Sequence, residues 1–241
     1  MNERHRAKRL TALRYLLALP KSIAFNLRML PFRQALRLPI LVSHHTKLEN
    51  LSGKITLHAN RPRIGLIKIG FNTYQHTDFR YDRTRLNLRG HLVLQGECAI
   101  GAGSCLNIGE NGTLTFGNQV SIGPKNLIIC HLSITFSNHN QTSWCCTLMD
   151  TDQHRLIDDH GNCCNPDRPI HLSDCVWLGC HVIATKGTRL APHTTVGAGS
   201  ILHGSYDEPH TILAGNPAQV VKQNVVREDY SNCLRTASNV S

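Results

Sequence analysis

Residues 169–202 read PIHLSDCVWLGCHVIATKGTRLAPHTTVGAGSIL, and their period decides the fold. Stepping by six from Leu172 gives Leu172, Leu178, Ala184, Leu190, Val196 and Leu202. Four residues after each start comes a second small or β-branched set: Val176, Val182, Thr188, Thr194 and Ser200. A helix repeats near 3.6 residues and a half-buried strand at two, so neither explains a period of six. Hexapeptide repeats do, and they predict a parallel β-helix in which three short strands make one triangular coil. The aliphatic residue points inward, and the small ones allow tight corners.

Upstream, the same signal recurs in two other phases. Leu88, Leu94, Ile100 and Leu106 form one set, with Leu92, Cys98 and Ser104 at the inner small positions. Phe116, Ile122, Ile128 and Ile134 form another, with Val120, Asn126, Leu132 and Asn138 beside them. The phase continues weakly through Trp144 and Asp150, breaks across residues 151–168 and resumes at Ile170. A coil interrupted by one long excursion predicts a rod with a protruding loop, and such loops commonly carry function. The expected organisation is a basic N-terminal segment (1–50), an all-β solenoid (51–222) with its loop (151–168), and a C-terminal tail (223–241).

The formal net charge is +10, and it is uneven. Residues 1–40 hold nine Lys and Arg (Arg4, Arg6, Lys8, Arg9, Arg14, Lys21, Arg28, Arg33 and Arg37) against the single acid Glu3. This asymmetry describes a basic arm, not a nucleic-acid-binding surface. The arm predicts an amphipathic helix over residues 3–19 ended by Pro20. Two roles suit it: a cap on one end of the coil, or contact with an anionic membrane surface. Basic residues interrupt every apolar run, which argues against a signal peptide and against a membrane span. Ten cysteines without an export signal suit reduced thiols in a cytoplasmic protein, and lipid contact through the arm would put it at the inner face of a membrane.

Candidate chemistry gathers at the edge of the excursion. In Met149-Asp150-Thr151-Asp152-Gln153-His154 an imidazole lies close to two carboxylates, the composition of an oriented general base. Trp177 falls out of the inward register of Val176 and Leu178, so it should face outward, as a subunit contact or a wall for a cofactor. Lys186, Lys222 and Arg227 are cations that phosphates could meet.

With these residues in view, the run from Pro169 to Lys222 resembles the hexapeptide-repeat acyltransferases. The matching pieces are Pro169-Ile170, Val176-Trp177-Leu178-Gly179, Lys186-Gly187, Val196-Gly197-Ala198-Gly199-Ser200 and Ala214-Gly215-Asn216-Pro217-Ala218. Met149–His154 resembles the sugar-acetylating subgroup, which includes capsule and lipopolysaccharide O-acetyltransferases and the maltose and galactoside acetyltransferases. The resemblance implies a left-handed parallel β-helix, a homotrimer with active sites between neighbouring coils, acetyl-CoA as co-substrate, no metal, and a glycan acceptor. By position it implies His154 as catalytic base with Asp150 and Asp152 beside it. It also implies cofactor contacts at Trp177, Gly179, Cys180, Ala198, His203, Gly204 and Lys222. Cys180 stands where a small polar residue is usual, and His203-Gly204 where Thr-Lys is common. Two other readings of the scaffold are a histidine-held metal enzyme of the γ-carbonic-anhydrase kind, drawing on His131, His139, His160, His171 and His181, and a non-catalytic glycan-binding solenoid.

Overall fold

In a computed structural model the chain is a long helix followed by a triangular stack of short parallel strands. The structure describes residues 3–59, 62–74, 77–78 and 81–228, with side chains of the first helix from Ala12 onward. Residues 229–241 of the expected tail, and the side chains of Arg4, Arg6, Lys8 and Arg9, lie outside the described residues.

Every third strand returns to the same face, giving three sheets of nine, seven and seven strands. Trp177 pairs with Thr195 and Leu178 with Val196, eighteen residues on, which is three hexads and one complete coil. The inward column of the second sheet runs Leu86, Leu106, Ile128, Leu148, Ala184, Leu202, each partnered with the next in parallel register. All are at most 1% exposed. Burying one such aliphatic side chain contributes about 1.5–3 kcal/mol, so the stack is held by repetition. The second hexad set is equally buried: Val176, Val182, Thr188, Thr194 and Ser200.

One expected phase is corrected. Leu132 is 41% exposed and Asn138 only half-buried, whereas Phe136, Asn140, Thr142, Cys146 and Leu148 are buried. The coil therefore continues two residues away from the phase through Trp144 and Asp150. The cause is a longer corner at His131–Ser133, whose three backbone N–H groups donate to the Asp150 carboxylate at 2.7–2.8 Å. Asn140 then holds the next corner, accepting from Val176 N at 2.9 Å and donating to Ser137 O at 3.0 Å.

The first helix, α1 (Glu3–Met29), runs through Pro20 instead of ending there. Proline removes one helical hydrogen bond, but the turns beyond it are fastened to the coil. The first strand, Ile40–Val42, lies inside the stretch assigned to the N-terminal segment and forms the outer edge of the first sheet. Its Val42 N–H donates to Ser22 Oγ at 2.9 Å. Its Ile40 N–H donates to Asn26 Oδ1 at 3.2 Å, and Asn26 Nδ2 donates to Ile40 O at 2.6 Å. Ser22 and Asn26 are fully buried. They satisfy an edge that would otherwise template another strand, and Phe25 and Met29 pack into the core beside them. The helix is thus the cap that a solenoid end requires. A short second helix, α2 (Phe32–Ala35), links it to the coil.

At the other end, Ile212–Gly215 and Ala218–Lys222 form an antiparallel hairpin on the first sheet. Among the described residues no helix is long and apolar enough to cross a membrane.

Candidate active site

Each strand of the second sheet ends at the same corner of the triangle. The residues that follow the last four of these strand ends are His131, Asp150-Thr151, Thr185-Lys186 and His203-Gly204. The excursion leaves the coil here, between strands Thr147–Met149 and Ile170–Leu172, and its base is closed by Arg168 N donating to Asp150 O at 3.1 Å. Stacking of the coils therefore brings His131 beside the loop. A cleft of about 410 Å³ opens between them, lined by His131, Thr151, His154, Arg155, Cys163 and Asp167 among others.

His154 is exposed at this cleft. The two aspartates beside it in sequence have other partners. Asp150 is fully buried and both its carboxylate oxygens are taken by the His131–Ser133 amides. Asp152 pairs with Lys186 and accepts from Asn165 Nδ2 at 2.9 Å. The Lys186 and Asn165 bonds hold its carboxyl below the usual carboxylate range. No hydrogen bond joins either carboxylate to the imidazole, so the expected Asp–His orientation is replaced by a backbone clamp. Asn165 Nδ2 donates to His154 O at 2.8 Å, and Asn165 Oδ1 accepts from Leu156 N at 2.6 Å. One amide side chain thus ties together the two limbs of the loop. Lys186, read in the sequence as a cation for phosphate, instead anchors the loop, donating also to Asn165 O at 2.7 Å.

Two residues of the cleft were not singled out for this chemistry by the sequence. His131 is a corner residue whose nearness to His154 follows only from stacking. Cys163 has its thiol held below the ordinary range, chiefly by a backbone hydrogen bond at Asn165 and then by Arg155. Cys145 and Cys146, closer to His154 in sequence, behave oppositely: burial raises both thiols, Cys146 to about 12.

The expected cofactor residues divide between two places. Trp177 lies outward on the first sheet, as its register predicts, with Nε1 donating to Ser143 Oγ at 3.2 Å. The Arg227 guanidinium sits 5.2 Å from the ring centroid, a cation–π contact. The ladder from Trp177 runs through Thr195 and Ile212 to Lys222, so the terminal lysine falls on the tryptophan's own column. Gly179 and Ala198 meet at the next corner: a Cβ on Gly179 would come 2.8 Å from Ala198 N and from Val196 O, so the coils need glycine there. Cys180 O accepts from Gly199 N at 2.8 Å at that corner. His203 and Gly204 lie instead at the loop's corner, where the His203 ring approaches Thr185 Oγ1 at 3.4 Å. The histidines considered for a metal are dispersed. His131 is at the loop's corner, His139 and His181 are at the other two, His171 is within a strand, and His160 is on the loop. Among the described residues no three His, Cys, Asp or Glu side chains converge to hold an ion.

No family model matches the chain. It is 28% identical over 132 residues to a probable acetyltransferase of Mycobacterium tuberculosis, covering 52% of this chain and 42% of that protein. It is 25% identical over 127 residues to the galactoside O-acetyltransferase of Escherichia coli, covering 50% and 55% respectively. The chain thus spans about half the length of these relatives. Among solved structures it is similar to the polysialic-acid-specific acetyltransferase NeuO, with a TM-score of 0.51 at 17% identity over 84% of this chain and 94% of that one. The resemblance to acetyltransferases read from the sequence therefore extends to named relatives, and the fold is a left-handed parallel β-helix.

Proposed function

We propose that this protein is an acetyl-CoA-dependent O-acetyltransferase acting on a sugar hydroxyl, in the assembly of a surface polysaccharide. The observation that carries the reading is a loop histidine and a coil-corner histidine lining one cleft. Its relatives' names and the NeuO likeness support the reaction class and a glycan acceptor.

In this mechanism the neutral His154 imidazole removes the proton of the acceptor hydroxyl as that oxygen attacks the thioester carbon. General-base assistance of this kind is worth about 10²–10⁴-fold. A backbone N–H donating to the tetrahedral oxyanion would add roughly 3–4 kcal/mol. Collapse expels the CoA thiolate, which takes the proton from the imidazolium, leaving an acetyl ester and a neutral base. Burial raises the Cys145 and Cys146 thiols, which disfavours an acetyl-cysteine at either of them.

The division of the remaining residues supports a homotrimer. His154, His203 and Gly204 occupy one corner of the coil, whereas Trp177, Gly179, Cys180, Ala198 and Lys222 occupy the first sheet and its following corner. Two copies packed side by side would bring these halves together, with acetyl-CoA between them and Lys222 toward its phosphates. A CoA-release assay over a panel of oligosaccharides and polysaccharides tests the proposal, beside thermal unfolding with and without acetyl-CoA. Saturation at about 100 times Kd should raise stability by about 2.7 kcal/mol. Neither CoA release nor a thermal shift would return the coil to a non-catalytic role.

A further inference from the structure

We infer that the outer face of α1 is a docking surface for an anionic lipid bilayer. The inner face of this helix is accounted for: Ala18, Ser22, Phe25, Asn26 and Met29 are buried against the coil. Among the described residues nothing covers the opposite stripe, which is wholly apolar between Leu13 and Leu27. Leu13, Leu16, Leu17, Ile23 and Leu27 are each at least 43% exposed, with Pro20 and Ala24, also exposed, filling the same stripe. A surface helix normally turns charged residues outward, and one that is apolar on both sides expects a second covering.

Charge selects the occupant. No acid occurs from Arg4 to Leu48. Arg14 and exposed Arg28 lie along one flank of the stripe, Lys21 between them is tied by its ammonium to His44 O and Thr46 O, and exposed Arg33 and Arg37 follow beyond the helix. Leucines on one side with Lys and Arg beside them are the composition of a helix lying in a membrane interface. A second copy laid on the same stripe would bring two purely cationic segments together, whereas anionic headgroups neutralise them. The anchoring through Ser22 and Asn26 fixes the helix on the coil's end, so docking would set that end on the bilayer.

Co-sedimentation with vesicles tests this. The full chain should pellet with phosphatidylcholine vesicles containing about one third phosphatidylglycerol and remain in solution with phosphatidylcholine alone. Leu16→Glu/Leu17→Glu, at exposed positions, should lower the partition coefficient at least roughly tenfold while circular dichroism and sedimentation coefficient stay unchanged. Arg28→Gln/Arg33→Gln/Arg37→Gln should lower it roughly fivefold per charge, and added salt should mimic that change in the wild type. Wild-type protein left in solution with the anionic vesicles overturns the inference. So does a smaller assembly for the leucine variant, which would make the stripe an interface between copies.

Discussion

The coil and the loop it carries are ordered by opposite means. From Ile170 to Leu202 strands of two or three residues persist because each buries an aliphatic side chain on the one beneath. From Asp152 to Asp167 nearly every residue is exposed, and order depends on a few polar contacts centred on Asn165, Asp152 and Lys186. Burial of this kind is redundant over many coils, whereas each loop contact is single. The molecule thus holds its candidate base on the part that a point mutation most readily loosens, and the coil keeps its shape regardless.

Asp150, at the junction, should break this contrast most severely. Asp150→Ala leaves three corner N–H groups without their acceptor, and a loss of about 3–5 kcal/mol is expected by denaturant unfolding. A coil substitution such as Leu148→Ala should cost about 2–4 kcal/mol and leave the order of the loop unchanged. Asn165→Ala should do the reverse. It should cost about 1 kcal/mol or less of global stability, yet raise hydrogen exchange across 152–167 and reduce turnover roughly tenfold through misplacement of His154.

The smallest effect is one of pH. Asp152 has its pKa lowered in the folded chain, so its contribution is present above the ordinary value of 3.8 and fades as pH falls through the depressed one. Exchange in the loop should therefore rise in strong acid before the coil responds, and in Lys186→Ala this rise should begin at higher pH. Because the Asp152 carboxylate is exposed, the change should be slight.

The sequence made the coil legible because an inward position repeats and water enforces it: Leu172, Leu178, Ala184, Leu190, Val196 and Leu202 all proved buried. Leu132 misled because the slip at His131–Ser133 depends on a carboxylate nineteen residues away, which no local period contains. Pro20 misled for a related reason, since contacts of Ser22 and Asn26 with the first strand outweigh the lost helical bond. In the candidate site, His154 drew attention by its position at the break of the repeat. Its surroundings could not, because Asp152 meets Lys186 across 34 residues and His131 reaches the cleft only through stacking. Adjacency in sequence suggested that the aspartates orient the ring; in space both serve the backbone and the loop anchor.

In the proposed reaction His154 is the group that takes the acceptor's proton. The most direct test compares CoA release by wild type, His154→Ala and His131→Ala on whichever glycan the wild type acetylates. A fall of about 10²–10⁴-fold for His154→Ala, with acetyl-CoA still producing its thermal shift, is the predicted result. Wild-type turnover in that variant would contradict it, and a collapse confined to His131→Ala would move the base to the opposite wall of the cleft.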